Sequence, residues 1–221
     1  MKSSASSSLS SLNTEPERFL EFIKSRSSSK LLTPGQVEAF KILRALEAAI
    51  SAPSAHNAQP WRVVIVDDRA TMKELLEEMA NEWRRDLRGD GLPEWKIEII
   101  IEESKKRTLR ASSLIVVCLT MEEMDMYPDE KRRKCEYVMA VQSIGAFIEN
   151  LLLALHAMGL GACWRCGPLF AQDAVRKVLG IPSHVEPQAM IEVALPGGFR
   201  AKSRKKLGEV AYLNRWGEPL S

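Results

Sequence analysis

The sequence contains no Gly-x-Gly-x-x-Gly in its 221 residues, so a nicotinamide dinucleotide would find no Rossmann-type site of its own. Cysteine is scarce, with only Cys118, Cys135, Cys163 and Cys166. Four in a chain of this length build no disulfide framework and suit a reducing compartment. Long uninterrupted apolar runs are missing as well; Leu151 to Leu155, like Leu114 to Leu119, falls far short of a bilayer span. The Ser-rich start, Met1 to Leu12, has no apolar stretch of the kind a secretory signal needs. It reads as part of a disordered lead over residues 1–14. Nor is there an excess of one charge: 31 basic against 29 acidic residues leave a formal +2, which argues for neither a nucleic-acid nor a membrane partner. What these absences leave is a cytoplasmic globular protein. Its composition, 45% hydrophobic and 27% charged, allows a sizeable core in a single domain over residues 15–221.

Hydrophobic spacing supplies the elements. Phe19, Leu20, Phe22 and Ile23 mark a helix over Glu17 to Ser25. Thr33-Pro34-Gly35-Gln36 predicts the start of a second helix, with Thr33 as N-cap, Pro34 at the first helical position and Gln36 completing a capping box. Its stripe is Val37, Phe40, Leu43, Leu46, Ala49 and Ile50, and Pro53 stops it. Trp61 to Val66 is rich in β-branched residues and reads as a strand. Helical spacing returns from Thr71 to Leu87. Glu94 to Leu109 alternates like a strand at Ile97, Ile99 and Ile101, yet its charges and later spacing favour a helix. Leu114 to Leu119 predicts a strand buried on both faces. Lys134 to Met158 is a long apolar helix closed by Gly159. A strand from Gly161 to Arg165, a helix from Gln172 to Leu179 closed by Gly180, and a strand from Ala189 to Leu195 complete a mixed α and β pattern around one sheet.

Two segments carry chemistry. Arg26-Ser27-Ser28-Ser29-Lys30 places two cations and three hydroxyls in five positions, a set that binds a phosphate by charge-assisted hydrogen bonds; it is equally a polar linker of helix-breaking serines. The loop Ala52 to Trp61 is held irregular by Pro53 and Pro60, and its Ser54, Asn57 and Gln59 suit the polar edge of a planar ligand. It also reads as a packed connection from helix to strand.

Together these segments resemble the N-terminal signature of the nitroreductase family: Arg26, Ser28 and Lys30, then Pro53, Ser54, Asn57, Gln59, Pro60 and Trp61. The resemblance continues through Ala111-Ser112-Ser113 and its apolar strand. It goes on through Asn150 to Leu152 and Gly159-Leu160-Gly161-Ala162-Cys163-Trp164, and ends in Lys202-Ser203-Arg204. It implies an α+β fold of three layers, α/β/α, with one mainly antiparallel sheet between helices, in an intertwined homodimer. It also implies FMN at the subunit interface, reduced by NAD(P)H and reoxidised by a small organic acceptor in a ping-pong cycle. By that resemblance Arg26, Ser27, Ser28 and Lys30, with Lys202 and Arg204, would hold the phosphate and ribityl chain. Pro53, Ser54, Ala55 and Asn57 would line the partner's flavin. Arg107 would sit near the pyrimidine edge, where a positive charge raises the flavin potential. Trp164, Arg165, Cys166 and Gly167 would pass flavin N5. The segment from Ser54 to Gln59 and the closing Asn214-Arg215-Trp216-Gly217 are most similar to the branch linked to coenzyme F420 glutamyl ligases, which implies a flavin or deazaflavin module as the alternative.

The chain departs from the family at two places. Cys166 stands where some members carry Glu, and no acidic or amide residue occupies the position of Ser143. The resemblance therefore carries no proton donor over, and Ser143 and Gln142 are weak candidates. Cys163-Trp164-Arg165-Cys166 has the spacing of a dithiol or half a zinc site, but it follows a strand rather than opening a long helix, and no second ligand pair accompanies it. His56 reads as a substrate-facing group or a hydrogen-bonded structural histidine, His184 as a surface residue.

Overall fold

A computed structural model describes residues 14–29, 32–197 and 202–220. The expected lead therefore lies outside the described residues but for Thr14, and so does Lys30. Seven helices and five strands follow in the order α1 (Glu15–Ser25), β1 (Leu32–Thr33), α2 (Ala39–Ala49), β2 (Trp61–Val66), α3 (Arg69–Gly89), α4 (Glu94–Thr108), β3 (Ser113–Thr120), α5 (Glu130–Ala157), β4 (Gly161–Arg165), α6 (Gly167–Phe170), α7 (Gln172–Leu179) and β5 (Val185–Pro196). Short 3-10 turns occupy Ala55–Asn57 and Leu207–Glu209.

Among the described residues every strand pairing is antiparallel, and no paired strands are joined by a tight hairpin. β3 lies between β2 and β5, Trp61 facing Leu119 on one side and Ile115 facing Ile191 on the other. β4 pairs with β5 from Gly161↔Ala194 to Arg165↔Met190. All eight residues of β3 are buried, and alternation along the strand explains how. Ile115, Val117 and Leu119 join Ala189, Ile191 and Val193 in a core shared with α2 and α5, where Phe147 stacks on Trp61 at 5.1 Å. Leu114, Val116 and Cys118 join Met190 and Ala194 on the opposite face, under α3 and α7. Two apolar faces on one sheet need two helical layers to exclude water, and the result is the expected α/β/α arrangement. The Cys118 thiol, shut into the second core, is pushed up to about 11 by burial.

Helix ends follow local chemistry. Asp68 accepts a hydrogen bond from the Thr71 amide at 2.7 Å to open α3, and Asp129 accepts from the Arg132 amide at 3.0 Å to open α5. Gly159 and Gly180, at φ 72° and 65°, take the left-handed conformation that ends α5 and α7. One expected helix start is wrong. Thr33 does not cap α2; Leu32 and Thr33 pair with Pro196 and Leu195 as β1, and α2 begins at Ala39 after an extended Glu38. A ladder to a strand more than 160 residues away outweighs a local capping box. The expectation about span length also needs correction. α5 is long and apolar enough, by length and composition, to cross a membrane, because helical continuity joins short apolar runs into one rod. Its Ala140, Ile144, Phe147, Ile148, Leu151 and Leu155 are instead packed in the core.

Candidate active site

Two regions collect the predicted residues. The first is a cavity of about 560 Å³ between α3, α4 and the turn after β4, lined by Arg107, Arg165, Cys166 and Gly167. Met79, Trp83 and Phe170 supply part of its apolar wall. Sheet alternation builds its polar floor. Glu192, between Met190 and Ala194 on β5, points to the same face as those two residues and is 1% exposed. It accepts hydrogen bonds from Thr108 Oγ1 at 2.7 Å and Arg165 Nη2 at 3.2 Å. Burial opposes the charge on Arg165, but the adjacent Glu192, by charge and hydrogen bond, outweighs it and raises the guanidinium above its ordinary value. Arg165 Nε remains buried without a hydrogen-bond partner. A buried donor left over in a cavity wall is a place where a ligand acceptor gains a full hydrogen bond. Arg107 is exposed and donates to Ser104 Oγ at 3.2 Å, which leaves other guanidinium donors available at the cavity edge.

The second region is the serine segment. Ser29 N donates to Ala162 O at 2.9 Å, which lays residues 26–29 against the start of β4. Gly161 makes that approach possible: a Cβ there would stand 3.0 Å from Pro196 Cα and 3.2 Å from Ser29 Oγ. Arg26 Nε reaches Glu149 Oε1 at 3.3 Å, with the glutamate half exposed. Ser27 Oγ and Ser29 Oγ are buried with no hydrogen-bond partner among the described residues. Two unsatisfied hydroxyls beside a guanidinium fit an anion such as a phosphate and are costly for a plain linker. At the adjoining end of α5, His156 stacks on Phe22 at 5.0 Å and lies 2.8 Å from Ser25 Oγ. Burial, and then the Arg26 charge, hold its imidazole below the usual value.

Other predicted residues lie elsewhere. Trp164 is on β4 opposite Ile191, about one-third exposed and outside the cavity lining. Pro53, Ser54, Ala55 and Asn57 also line no part of that cavity. Their loop packs on α5, where Ala55 N donates to Ser143 Oγ at 3.1 Å and Ser143 in turn donates to Met139 O. His56, Asn57 and Gln59 hold φ of 53°, 56° and 49°, a left-handed conformation that non-glycine residues adopt at a cost. Lys202 and Arg204 are exposed, and Arg204 donates to Ser203 O. Cys163 is buried and Cys166 exposed, and neither is part of a disulfide among the described residues.

Sequence reasoning missed Glu192 and Glu136, and it named Ser29 only as a member of the serine segment. Glu192 had a signal, a lone carboxylate inside the apolar run Ala189 to Leu195. Glu136 had none, since it sits among the charges that open α5.

Comparisons with known proteins bear on the family and the fold. The model of the nitroreductase family matches residues 23–195, and the chain belongs to that family. An Archaeoglobus fulgidus protein named as an NADH dehydrogenase/NAD(P)H nitroreductase is 31% identical over 183 residues, covering 81% of this chain and 86% of that protein. An NADH dehydrogenase from Thermus thermophilus is 28% identical over 159 residues, covering 68% and 73%. The solved structure of a Desulfovibrio desulfuricans protein, described as a nitroreductase in complex with FMN, is 25% identical. It superposes with a TM-score of 0.68 and covers 95% of this chain and 100% of that one.

Proposed function

We propose that the chain is an FMN-dependent NAD(P)H oxidoreductase, one FMN-binding domain over residues 15–221, that reduces a small organic acceptor such as a quinone or nitroaromatic by a ping-pong mechanism. The observation that carries this reading is the cavity, which gathers Arg107 with Arg165, Cys166 and Gly167 from segments almost 60 residues apart. FMN, when bound, supplies the redox chemistry, taking a hydride from NAD(P)H and returning electrons to the acceptor. The protein's part is binding and electrostatics. Arg26 with the Ser27 and Ser29 hydroxyls would hold the phosphate, joined by Ser28, Lys30, Lys202 and Arg204. Arg107 would place positive charge at the pyrimidine edge, favouring the anionic reduced form. Arg165, fixed by Glu192, lines the cavity, and the apolar residues there limit water.

Pro53, Ser54, Ala55 and Asn57 would line the flavin of a second copy, which their separation from this chain's cavity supports. A homodimer also accounts for exposed apolar side chains on three helices: Phe19 and Ile23 of α1, Phe40 and Leu43 of α2, and Val138 and Val141 of α5. Such a set is what a large hydrophobic interface covers. The expected result is a yellow protein, dimeric by light scattering, that releases a chromophore with the mass of FMN on denaturation. NADH or NADPH oxidation should give parallel double-reciprocal lines against acceptor concentration. A monomer that keeps stoichiometric FMN, or a protein that binds no FMN on reconstitution, overturns the reading. The alternative, a deazaflavin F420 module, is favoured by the loop from Ser54 to Gln59 and the closing Asn214 to Gly217. Tighter binding of F420 than of FMN, with no NAD(P)H oxidation, would select it.

A further inference from the structure

A third cluster, outside both regions, joins three parts of the chain. His56 belongs to the 3-10 turn Ala55–Asn57, Asp125 to the loop after β3, and Glu136 to the first third of α5. One ligand atom from each lies within 4.8 Å of the other two. His56 Nε2 is 3.5 Å from Glu136 Oε1 and 3.9 Å from Asp125 Oδ2. Glu136 is 3% exposed, and its Oε2 is buried with no hydrogen-bond partner. A carboxylate so enclosed needs a cation close to it. The His56 ring does not meet that need well, because 3.5 Å is longer than a charge-assisted hydrogen bond of about 2.7–2.9 Å. The 3.5 Å between His56 and Glu136 already fits a shared ion, and Asp125, at 3.9 Å from the ring, would draw inward by a few tenths of an ångström to join it. Bonds of about 2.0–2.2 Å in a tetrahedral arrangement set ligand atoms roughly 3.3–3.6 Å apart.

We propose that His56, Asp125 and Glu136 bind one divalent transition-metal ion, with water completing its shell. One imidazole and two carboxylates form a borderline-to-hard donor set suited to Zn²⁺ rather than to a soft monovalent ion. The ion ties the loop bearing Ser54 and Asn57 to α5 and to the loop after β3, and so fixes the left-handed backbone at His56 and Asn57. It does no redox work.

The test uses the full-length protein as purified, stripped with a chelator and dialysed against Zn²⁺, with bound metal counted by atomic emission. One Zn²⁺ per chain is expected in the parent protein. That equivalent is lost in His56→Ala and in Glu136→Gln, and retained in His184→Ala and in Cys135→Ser. Since Glu136→Gln can disturb folding, thermal midpoints give a second reading: Zn²⁺ raises the midpoint of the parent protein and leaves that of His56→Ala unchanged. No Zn²⁺ above the dialysis buffer overturns the proposal. So does a full equivalent in His56→Ala, or loss of the ion in Cys135→Ser, which would place a thiolate in the shell.

Discussion

Arg165 and Arg26 are both cations in the candidate site, yet the fold treats them in opposite ways. Arg165 faces a carboxylate that is 1% exposed, and Thr108 supplies a further hydrogen bond to that carboxylate, so its position is set before any ligand arrives. Arg26 meets only the half-exposed Glu149 at 3.3 Å, beside two serine hydroxyls that have no partner. Arg26 itself is only 17% exposed, so the contrast lies in the partner carboxylates, and a pair open to water on one side contributes less. One cation is locked to an enclosed carboxylate; the other meets only a half-exposed one, and on the proposed reading it would be the one that takes up an anion. The difference shows how a single site separates the groups that orient from the groups that bind: preorganisation needs burial, and affinity for a charged ligand needs charges not already spent on the protein.

Removing the carboxylate beneath the cavity gives the largest expected effect. Glu192→Gln leaves the partly buried Arg165 opposite a neutral group, and stability should fall by up to about 3–5 kcal/mol, read from the urea midpoint. A loss under about 1 kcal/mol, the range of a surface pair, would erase the contrast with Arg26. Arg26→Ala should behave in the reverse sense. Its urea midpoint stays near the parent value, while FMN binding weakens by roughly one to two powers of ten, the equivalent of a charge-assisted contact of about 1.5–3 kcal/mol. Turnover should largely return when FMN is saturating. Unchanged FMN affinity would return the serine segment to the status of a linker.

Arg107→Ala sharpens the comparison within the cavity itself. FMN stays bound, but its reduction potential falls because a positive charge near the ring is lost, as a redox titration would register. An unchanged potential would place Arg107 away from the flavin edge. The smallest effect concerns His156. Its folded value is held below 6.5, by burial first and the Arg26 charge second. On acidification the unfolded chain takes up a proton near pH 6.5 that the folded chain refuses, so stability falls as the pH drops from about 6.5 towards the folded value. Unfolding curves at pH 7.5 and 5.5 measure that loss. It should be smaller in Arg26→Ala, where the second cause is gone, and a loss of equal size would show that burial alone is responsible.

Local signals settled most of the elements. β2 and β4, and the C-terminal ends of α5 and α7, lie within a residue or so of where β-branched residues and glycines place them, because those preferences act between chain neighbours. The amphipathic reading of Glu94 to Leu109 held for the same reason: Ile97 and Ile101 share a face of α4 and are both fully buried. The motifs at Arg26, Pro53 and Lys202 were legible as residue types in a family's order. Their partners were not. Thr33 carried a sound capping box and became a strand, since its partner at Leu195 is invisible to any local window. Glu136 looks in the sequence like an ordinary surface carboxylate, and Glu192, a lone acid in an apolar run, shows no partner there; only packing took water away from them and set Arg165 and His56 in its place. The sequence by itself determined where helices and strands form and which segments carry cations and hydroxyls, because torsional preference and hydrophobic period are short-range. The tertiary structure alone decided which of those charges are buried and paired and which stay open to a ligand, because desolvation depends on what closes over a residue from distant parts of the chain.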